Sequence, residues 1–140
     1  MIGLTASDIL TSSGRHTQRL DWVSPAVERN AHNLAPLVTA VLLAFGETRR
    51  VNSGFRDVRS NAKVGGAPMS FHIFGQAVDL EDTMGKLGAW LLKNEKTLAT
   101  YGLWAEHPDC TVTWAHLQSE PYPGWTPGSS RFFRWAGKKP

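Results

Sequence analysis

The segment 70–79 reads SFHIFGQAVD, and a second segment, 114–118, reads WAHLQ. Together they supply two imidazoles, from His72 and His116, and one carboxylate, from Asp79. Two histidines and one acid, with a fourth position open to water, are typical ligands of a catalytic zinc site rather than a structural one. The spacing alone also allows a second interpretation, in which the three are ordinary hydrogen-bonded polar residues.

The residues around the first histidine predict a turn that leads into a strand. Polar and apolar residues alternate over 76–80, which is typical of a half-buried strand with Asp79 on one face. Gly75 permits a bend in front of this strand. We therefore expect the imidazole of His72 to fold back toward Asp79.

A second strand is predicted over 112–118, with the side chains of His116 and Gln118 on the same face. The segment 103–106 also has the pattern of a strand. Between them, 107–110 reads HPDC, which is typical of a turn. The sequence therefore predicts a hairpin of two antiparallel strands.

Two main helices are predicted to cover the sheet. Ser24 followed by Pro25 is typical of a helix start, and apolar residues at three- and four-residue steps continue to Phe45. A second helix is predicted over about 83–100, and its inward-facing residues are expected to be Met84, Leu87, Leu91 and Leu98. The fold class expected is α+β, with a small antiparallel sheet that carries the candidate metal ligands His72, Asp79 and His116, here called the metal residues.

Composition indicates one globular domain over 1–140. Hydrophobic residues make up 41% of the chain and charged residues only 19%, which excludes a disordered tail as the main feature. The single cysteine, Cys110, excludes both an intramolecular disulfide framework and a cysteine-rich zinc ribbon. We expect a monomer with one core.

The net charge of +3 gives weak attraction to polyanions. Helix-turn-helix, zinc-finger and RNA-binding patterns are absent from the sequence, so no specific nucleic-acid partner is expected. Neither a secretory leader nor an apolar run of membrane-spanning length is apparent. The expectation is a protein made in the cytoplasm, without membrane insertion.

Four motifs resemble those of the M15 family of zinc peptidases, in order, over about 10–135. They are Ser53-Gly54-Phe55-Arg56, Val64-Gly65-Gly66-Ala67-Pro68, the SxHxxGxAxD string of 70–79, and the WxHxQ string of 114–118. The family includes D-alanyl-D-alanine carboxypeptidases, related dipeptidases and phage L-alanyl-D-glutamate endopeptidases. The resemblance implies a Hedgehog/D,D-peptidase-like fold and a Zn²⁺ ion bound by His72, Asp79 and His116.

The resemblance also implies a role for Arg56, which matches an arginine sixteen residues before the first ligand. In the family this arginine binds substrate and stabilises the developing oxyanion. We further expect Ser70 to orient the substrate or a ligand, and Gln118 to contact the substrate.

One departure from the family pattern concerns the general base. Many members carry an acid three residues before the last histidine, where this chain has Thr113. Glu106 is the best substitute, because the predicted hairpin brings it across from the neighbourhood of His116. A phage-like subset of the family resembles this chain in a Glu-x-Pro element here. Asp109 and Glu120 are weaker candidates.

The segment 121–130, PYPGWTPGSS, follows the last ligand and is rich in turn-forming residues. It is either a wall of the substrate site or a plain surface loop, and the sequence favours neither interpretation.

The function expected from the resemblance is hydrolysis of peptide bonds in peptidoglycan stem peptides. A protein without a leader would reach the wall after release by a holin, by lysis or aboard a virion, which suits a phage or prophage enzyme. The alternative is a catalytically weak cell-wall-binding or phage structural module that retains the metal-site fold.

Overall fold

The computed structural model describes residues 3–11, 23–67 and 69–134. Within them the helices are α1 (Ala6–Thr11), α2 (Pro25–Phe45), α3 (Val58–Lys63), α4 (Lys86–Lys93) and α5 (Glu95–Tyr101). A short 3₁₀ helix lies at Phe71–Phe74. The strands are β1 (Val51–Ser53), β2 (Ala77–Glu81), β3 (Trp104–Glu106), β4 (Trp114–Gln118) and β5 (Phe132–Phe133). The predicted α+β class is confirmed.

The strands form one sheet in the order β1-β2-β4-β3-β5. Neighbouring strands are antiparallel except β5, which joins β3 in parallel and makes the sheet mixed. The predicted hairpin is confirmed, because β3 pairs with β4 through Trp104 opposite Gln118 and Ala105 opposite Leu117. The turn between them holds Pro108 and Asp109.

The long helix α2 begins and ends where the sequence predicts. Ser24 Oγ accepts a hydrogen bond from the Val27 N–H, and Pro25 occupies the first turn, where it has no N–H to leave unsatisfied. At the other end Gly46 takes the left-handed conformation and donates its N–H to the Leu42 carbonyl.

Helix α1 was not predicted from the sequence. Its start is a reciprocal cap, in which Asp8 Oδ2 accepts the Thr5 N–H at 2.8 Å and Thr5 Oγ1 accepts the Asp8 N–H at 3.2 Å. This T-x-x-D pattern is a capping box with aspartate in place of glutamate. The sequence also predicts a loop at His16, which lies outside the described residues.

The second predicted helix is wrong as a single element, because the chain forms two helices that meet at Asn94. The Asn94 side-chain amide donates to the Trp90 carbonyl at 2.8 Å, which satisfies an acceptor of the last turn of α4 and favours its termination. The prediction for Met84 is also wrong. Its side chain is 82% exposed, whereas Leu87, Leu91 and Leu98 are buried as predicted.

Helices α1, α2, α4 and α5 pack together with one face of the sheet and enclose the core. Core side chains from the sheet include Val78 and Leu80 of β2 and Leu117 of β4, all fully buried against leucine and valine side chains of the helices. Because side chains alternate along a strand, their neighbours point to the opposite face. Among the described helices, none combines the length and apolar character needed to cross a membrane.

Candidate metal centre

A transverse row of side chains crosses the sheet on the face away from the helices. Asp79 in β2 lies opposite His116 in β4, and Ser53 in β1 lies opposite Asp79. Continuing the β3–β4 register by one residue places Glu106 across from His116. Phe133 of β5 is opposite Glu106. Five strands therefore each contribute one residue, and these five residues are the transverse row.

The 3₁₀ helix brings His72 to this row from outside the sheet. Ser70 Oγ accepts the His72 N–H at 3.2 Å and caps the turn. Gly75 follows with φ of 71°, a left-handed conformation that lets the chain reverse into β2. The predicted bend is confirmed, and the His72 and His116 rings lie 5.1 Å apart between centroids.

The orientation of His72 is fixed by a backbone carbonyl. Its Nδ1 lies 2.7 Å from the oxygen of Gly54, and a carbonyl can only accept, so Nδ1 carries the proton and donates. In the neutral ring Nε2 then presents a lone pair, and this atom lies 3.3 Å from Asp79 Oδ2. His72 is 2% exposed.

The orientation of His116 is fixed by Gln118. The Gln118 amide nitrogen donates to the Glu120 carbonyl at 2.7 Å, which turns its Oε1 toward His116 Nε2, also at 2.7 Å. Nε2 therefore carries the proton. The other ring nitrogen, Nδ1, lies 2.9 Å from Asp79 Oδ1. Gln118 thus acts on His116 as the hydrogen-bonded partners of metal-binding histidines do.

The ionisation of the three groups follows from burial and their shared contacts. Burial lowers the pKa of His72, against the charge of Asp79. Burial would raise the pKa of Asp79, but the two imidazoles outweigh it and hold that pKa well below its usual range. Burial also acts to lower the pKa of His116, yet hydrogen bonding to Asp79 outweighs it, and the charge of Glu106 adds to the rise.

These residues fit a metal ion. One ligand atom from each of His72, Asp79 and His116 can be chosen so that all lie within 4.8 Å of one another, and all three side chains are largely buried. With both imidazoles neutral, His72 Nε2 and His116 Nδ1 each carry a lone pair, and they lie 3.3 and 2.9 Å from the two carboxylate oxygens of Asp79. A set of two imidazoles and one carboxylate could hold a metal ion such as zinc.

Arg56 lies beside the metal residues. Its backbone N–H donates to the His72 carbonyl at 3.1 Å, and its Nη1 donates to Ser53 Oγ at 3.3 Å. Burial lowers the pKa of Arg56, and the nearby charge of Asp79 counteracts this. Its Nε is buried and has no hydrogen-bond partner among the described residues.

A cleft of about 320 Å³ opens over the transverse row. Polar groups that line it include Arg56, Ser70, His72, Glu106, His116 and Gln118. Tyr122 and Pro123 of the turn-rich loop also line it, which favours the interpretation of that loop as a wall of the site. Glu106 is 5% exposed, whereas Asp109 and Glu120 are exposed on the surface. Thr113 is exposed as well, just before β4.

A sequence profile of the peptidase M15 family matches residues 3–103. The chain belongs to the peptidase M15 family. The match contains Arg56, His72 and Asp79 but ends before Glu106 and His116, which the fold brings to the same cleft. A comparison with curated proteins found no match.

Sequence reasoning missed two contacts of this M15 family site. The first is the Gly54 carbonyl, eighteen residues from the imidazole that it orients. The second is the contact between Gln118 and His116, although the alternation had placed both on one face. A contact of Gln118 with substrate stays a prediction, as does one of Ser70.

Replacing Gly54 by alanine is expected to destabilise the protein and weaken its metal site. An added Cβ would clash with the backbone of Ile9, only 2.8 Å from its carbonyl carbon, and would displace the carbonyl that holds His72. Overpacking of this kind costs about 1–3 kcal/mol. Urea unfolding and metal titration should both report the change.

The matched control is Gly3→Ala, where the nearest atom to an added Cβ is 3.9 Å away. We expect its unfolding free energy and metal affinity to match the wild type. If Gly54→Ala also matched the wild type in both measurements, the close contact between Gly54 and the Ile9 backbone of α1 would not constrain the site.

Proposed function

We propose that this protein is a zinc-dependent peptidase that hydrolyses peptide bonds in peptidoglycan stem peptides. Membership of the M15 family and the buried group of His72, Asp79 and His116 support metal-dependent peptidase action. The substrate class rests on the resemblance of the motifs to D-alanyl-D-alanine carboxypeptidases and phage L-alanyl-D-glutamate endopeptidases. We also propose that it acts at the cell wall after holin release, or as a virion component.

The observation that carries the proposal is the arrangement of charges in one cleft. A carboxylate, Glu106, adjoins the metal residues on the β3 side, and a guanidinium, Arg56, adjoins them on the β1 side. Peptide hydrolysis needs a proton acceptor for the attacking water and a donor for the oxyanion that forms. The cleft supplies both groups on opposite sides of the same three residues.

A zinc ion bound by His72, Asp79 and His116 would supply Lewis acidity, which makes hydroxide accessible near neutral pH and polarises a peptide carbonyl. Glu106 would accept the proton of the attacking water and return it to the leaving amine. Its burial keeps bulk water away from this transfer. Gln118 would hold His116 in the tautomer that presents Nδ1 to the metal, through the 2.7 Å contact with Nε2.

Arg56 would stabilise the negative charge that develops on the peptide oxygen. Its side chain lines the cleft beside the candidate metal ligands, where its N–H donors can meet a substrate oxygen. Ser53 holds Nη1, which limits the freedom of the guanidinium before substrate arrives. A donor that is already oriented costs little reorganisation during the reaction.

Arg56→Lys is expected to lower turnover by at least about tenfold with zinc content unchanged. Lysine keeps the charge but lacks the planar fork that can reach Ser53 and substrate together. Removing one oxyanion donor typically costs about 10²–10³ in turnover, which bounds the effect from above. Steady-state kinetics with metal analysis of the same samples provide the measurement.

Arg59→Lys is the matched control, since Arg59 is exposed on α3 three residues farther along. Its kinetics should equal those of the wild type. Wild-type turnover in Arg56→Lys would remove this guanidinium from the reaction.

The proposal is tested by mass spectrometry of purified peptidoglycan digested with the zinc-loaded protein. Fragment masses identify the bond that is cut and distinguish loss of a terminal D-alanine from cleavage between L-alanine and D-glutamate. Chelation should stop the release of fragments, and zinc should restore it. Intact peptidoglycan after digestion at full zinc occupancy would overturn the proposal.

The alternative proposal is a wall-binding module with little catalysis. The missing acid at Thr113 is the observation that favours it. Saturable binding to intact walls without peptide release, at full zinc occupancy, would support this alternative. The buried Glu106 in the cleft favours the peptidase.

A further inference from the structure

Two arginines lie at opposite ends of the transverse row. Arg56 is hydrogen-bonded to Ser53 of the edge strand β1, and Arg134 directly follows Phe133 of the other edge strand, β5. Both arginines line the cleft. Four strand spacings separate the two edges, which amounts to about 19 Å. The cleft therefore offers a cation on each side of the metal residues.

An aromatic surface lies between the metal residues and Arg134. The Phe133 ring is 5.8 Å from the His116 ring and 5.5 Å from the Tyr122 ring, measured between centroids. Tyr122 is held in place, since its hydroxyl donates to the Ser130 carbonyl at 2.6 Å. An extended substrate that reaches Arg134 from the metal residues would cross this surface.

The guanidinium of Arg134 is held by two contacts but can still donate further hydrogen bonds. Its Nη2 lies 3.0 Å from Asp109 Oδ2, and its Nη1 lies 3.9 Å from Cys110 Sγ. Arginine has five N–H donors, and these contacts use two of them. The Arg134 and Asp109 side chains are 56% and 69% exposed, so their ion pair contributes little and a second carboxylate can share or replace it.

We propose that Arg134 binds a carboxylate of the peptide substrate, at the end of the cleft opposite Arg56. This inference rests on the proposed peptidase function. From β4 to β5 is two strand spacings, or about 10 Å, which an extended peptide covers in about three residues. The carboxylate recognised thus lies within a few residues of the scissile bond. Arg134 sets specificity by charge, and Arg56 serves the reacting carbonyl.

The probes are the stem pentapeptide L-alanyl-γ-D-glutamyl-L-lysyl-D-alanyl-D-alanine and two analogues. In one analogue the D-glutamyl α-carboxylate is a carboxamide, and in the other the C-terminal carboxylate is a carboxamide. For zinc-loaded protein, kcat/KM is measured where turnover occurs, and Kd is measured by calorimetry where it does not. The readout is the ratio between the free pentapeptide and each analogue.

The wild type is expected to disfavour one analogue by about fivefold, the upper end for an ion pair of a largely exposed side chain. Arg134→Gln should bring that ratio to within about twofold, and Arg134→Lys should give an intermediate ratio. The control is Arg50→Gln. Arg50 directly precedes β1, pairs with Glu81 and lies outside the cleft. This substitution removes the same charge and should keep the wild-type ratio.

Two results would overturn the inference. One is a wild type that does not distinguish the three peptides, and the other is an Arg134→Gln variant that keeps the wild-type ratio or loses all three peptides equally. A change in the calorimetric ratio without any turnover would support the role of Arg134 while refuting the proposed peptidase function.

Discussion

Glu106→Gln is expected to lower turnover by about two to four orders of magnitude, the usual scale of general-base catalysis. Glutamine preserves the size of a side chain that is 5% exposed, so packing against β4 should survive. It cannot accept a proton from water. Zinc content and peptide affinity are therefore expected to stay close to those of the wild type, with the loss confined to kcat.

Two other acids serve as controls, because Asp109 and Glu120 are exposed outside the cleft. Asp109→Asn and Glu120→Gln should retain most of the turnover. Should Glu106→Gln remain active while one of these two variants is inactive, the general base lies at that position instead. Rapid-mixing kinetics with a single turnover would separate the chemical step from product release.

His116→Ala is expected to abolish hydrolysis and to weaken metal binding severely. The substitution removes one of three donors and leaves the Asp79 carboxylate without its 2.9 Å partner. Loss of a residue that only supports a ligand typically costs about 10–100-fold in metal affinity, so loss of the ligand itself should cost more. Metal content after zinc reconstitution and dialysis measures the effect.

His32→Ala is the matched control, since His32 is exposed on α2 and lies 4.0 Å from Glu28, away from the cleft. It should bind zinc and hydrolyse peptide like the wild type. His116→Gln keeps most of the buried volume, so a folding defect can be separated from loss of the donor. Full zinc occupancy in both His116 variants would place the metal elsewhere.

Much of the site could be predicted from local patterns. Alternation over β2 and β4 put Asp79 and His116 on one face, and Gly75 indicated the bend that returns His72 to them. The pairing of β3 with β4 followed from a short turn between two strand-like segments. Each of these features depends on the alternation of polar and apolar residues, or on turn residues, within a short stretch of sequence.

The remainder depends on contacts that local patterns do not contain. The Asn94 side chain competes for a carbonyl of the preceding turn, and it divided a helix that the apolar spacing had made continuous. The Gly54 carbonyl reaches His72 from a segment that is itself held to α1 by the Phe55 N–H and the Ile9 carbonyl. The contact of Gln118 with His116 and the position of Arg134 in the cleft depend on how separate segments pack, which a local pattern does not show.

The residues of the transverse row alternate along their strands with the apolar residues of the core. The chemistry of the protein therefore depends on which residues of each strand face the core. If β4 slipped by one residue against β2, Leu117 would face the cleft and His116 would face the helices. The apolar side chains that exclude this slip thereby also align the donors. A sheet paired one residue out of register would separate His116 from Asp79, so metal binding at these residues would indicate that the strands are paired in their native register.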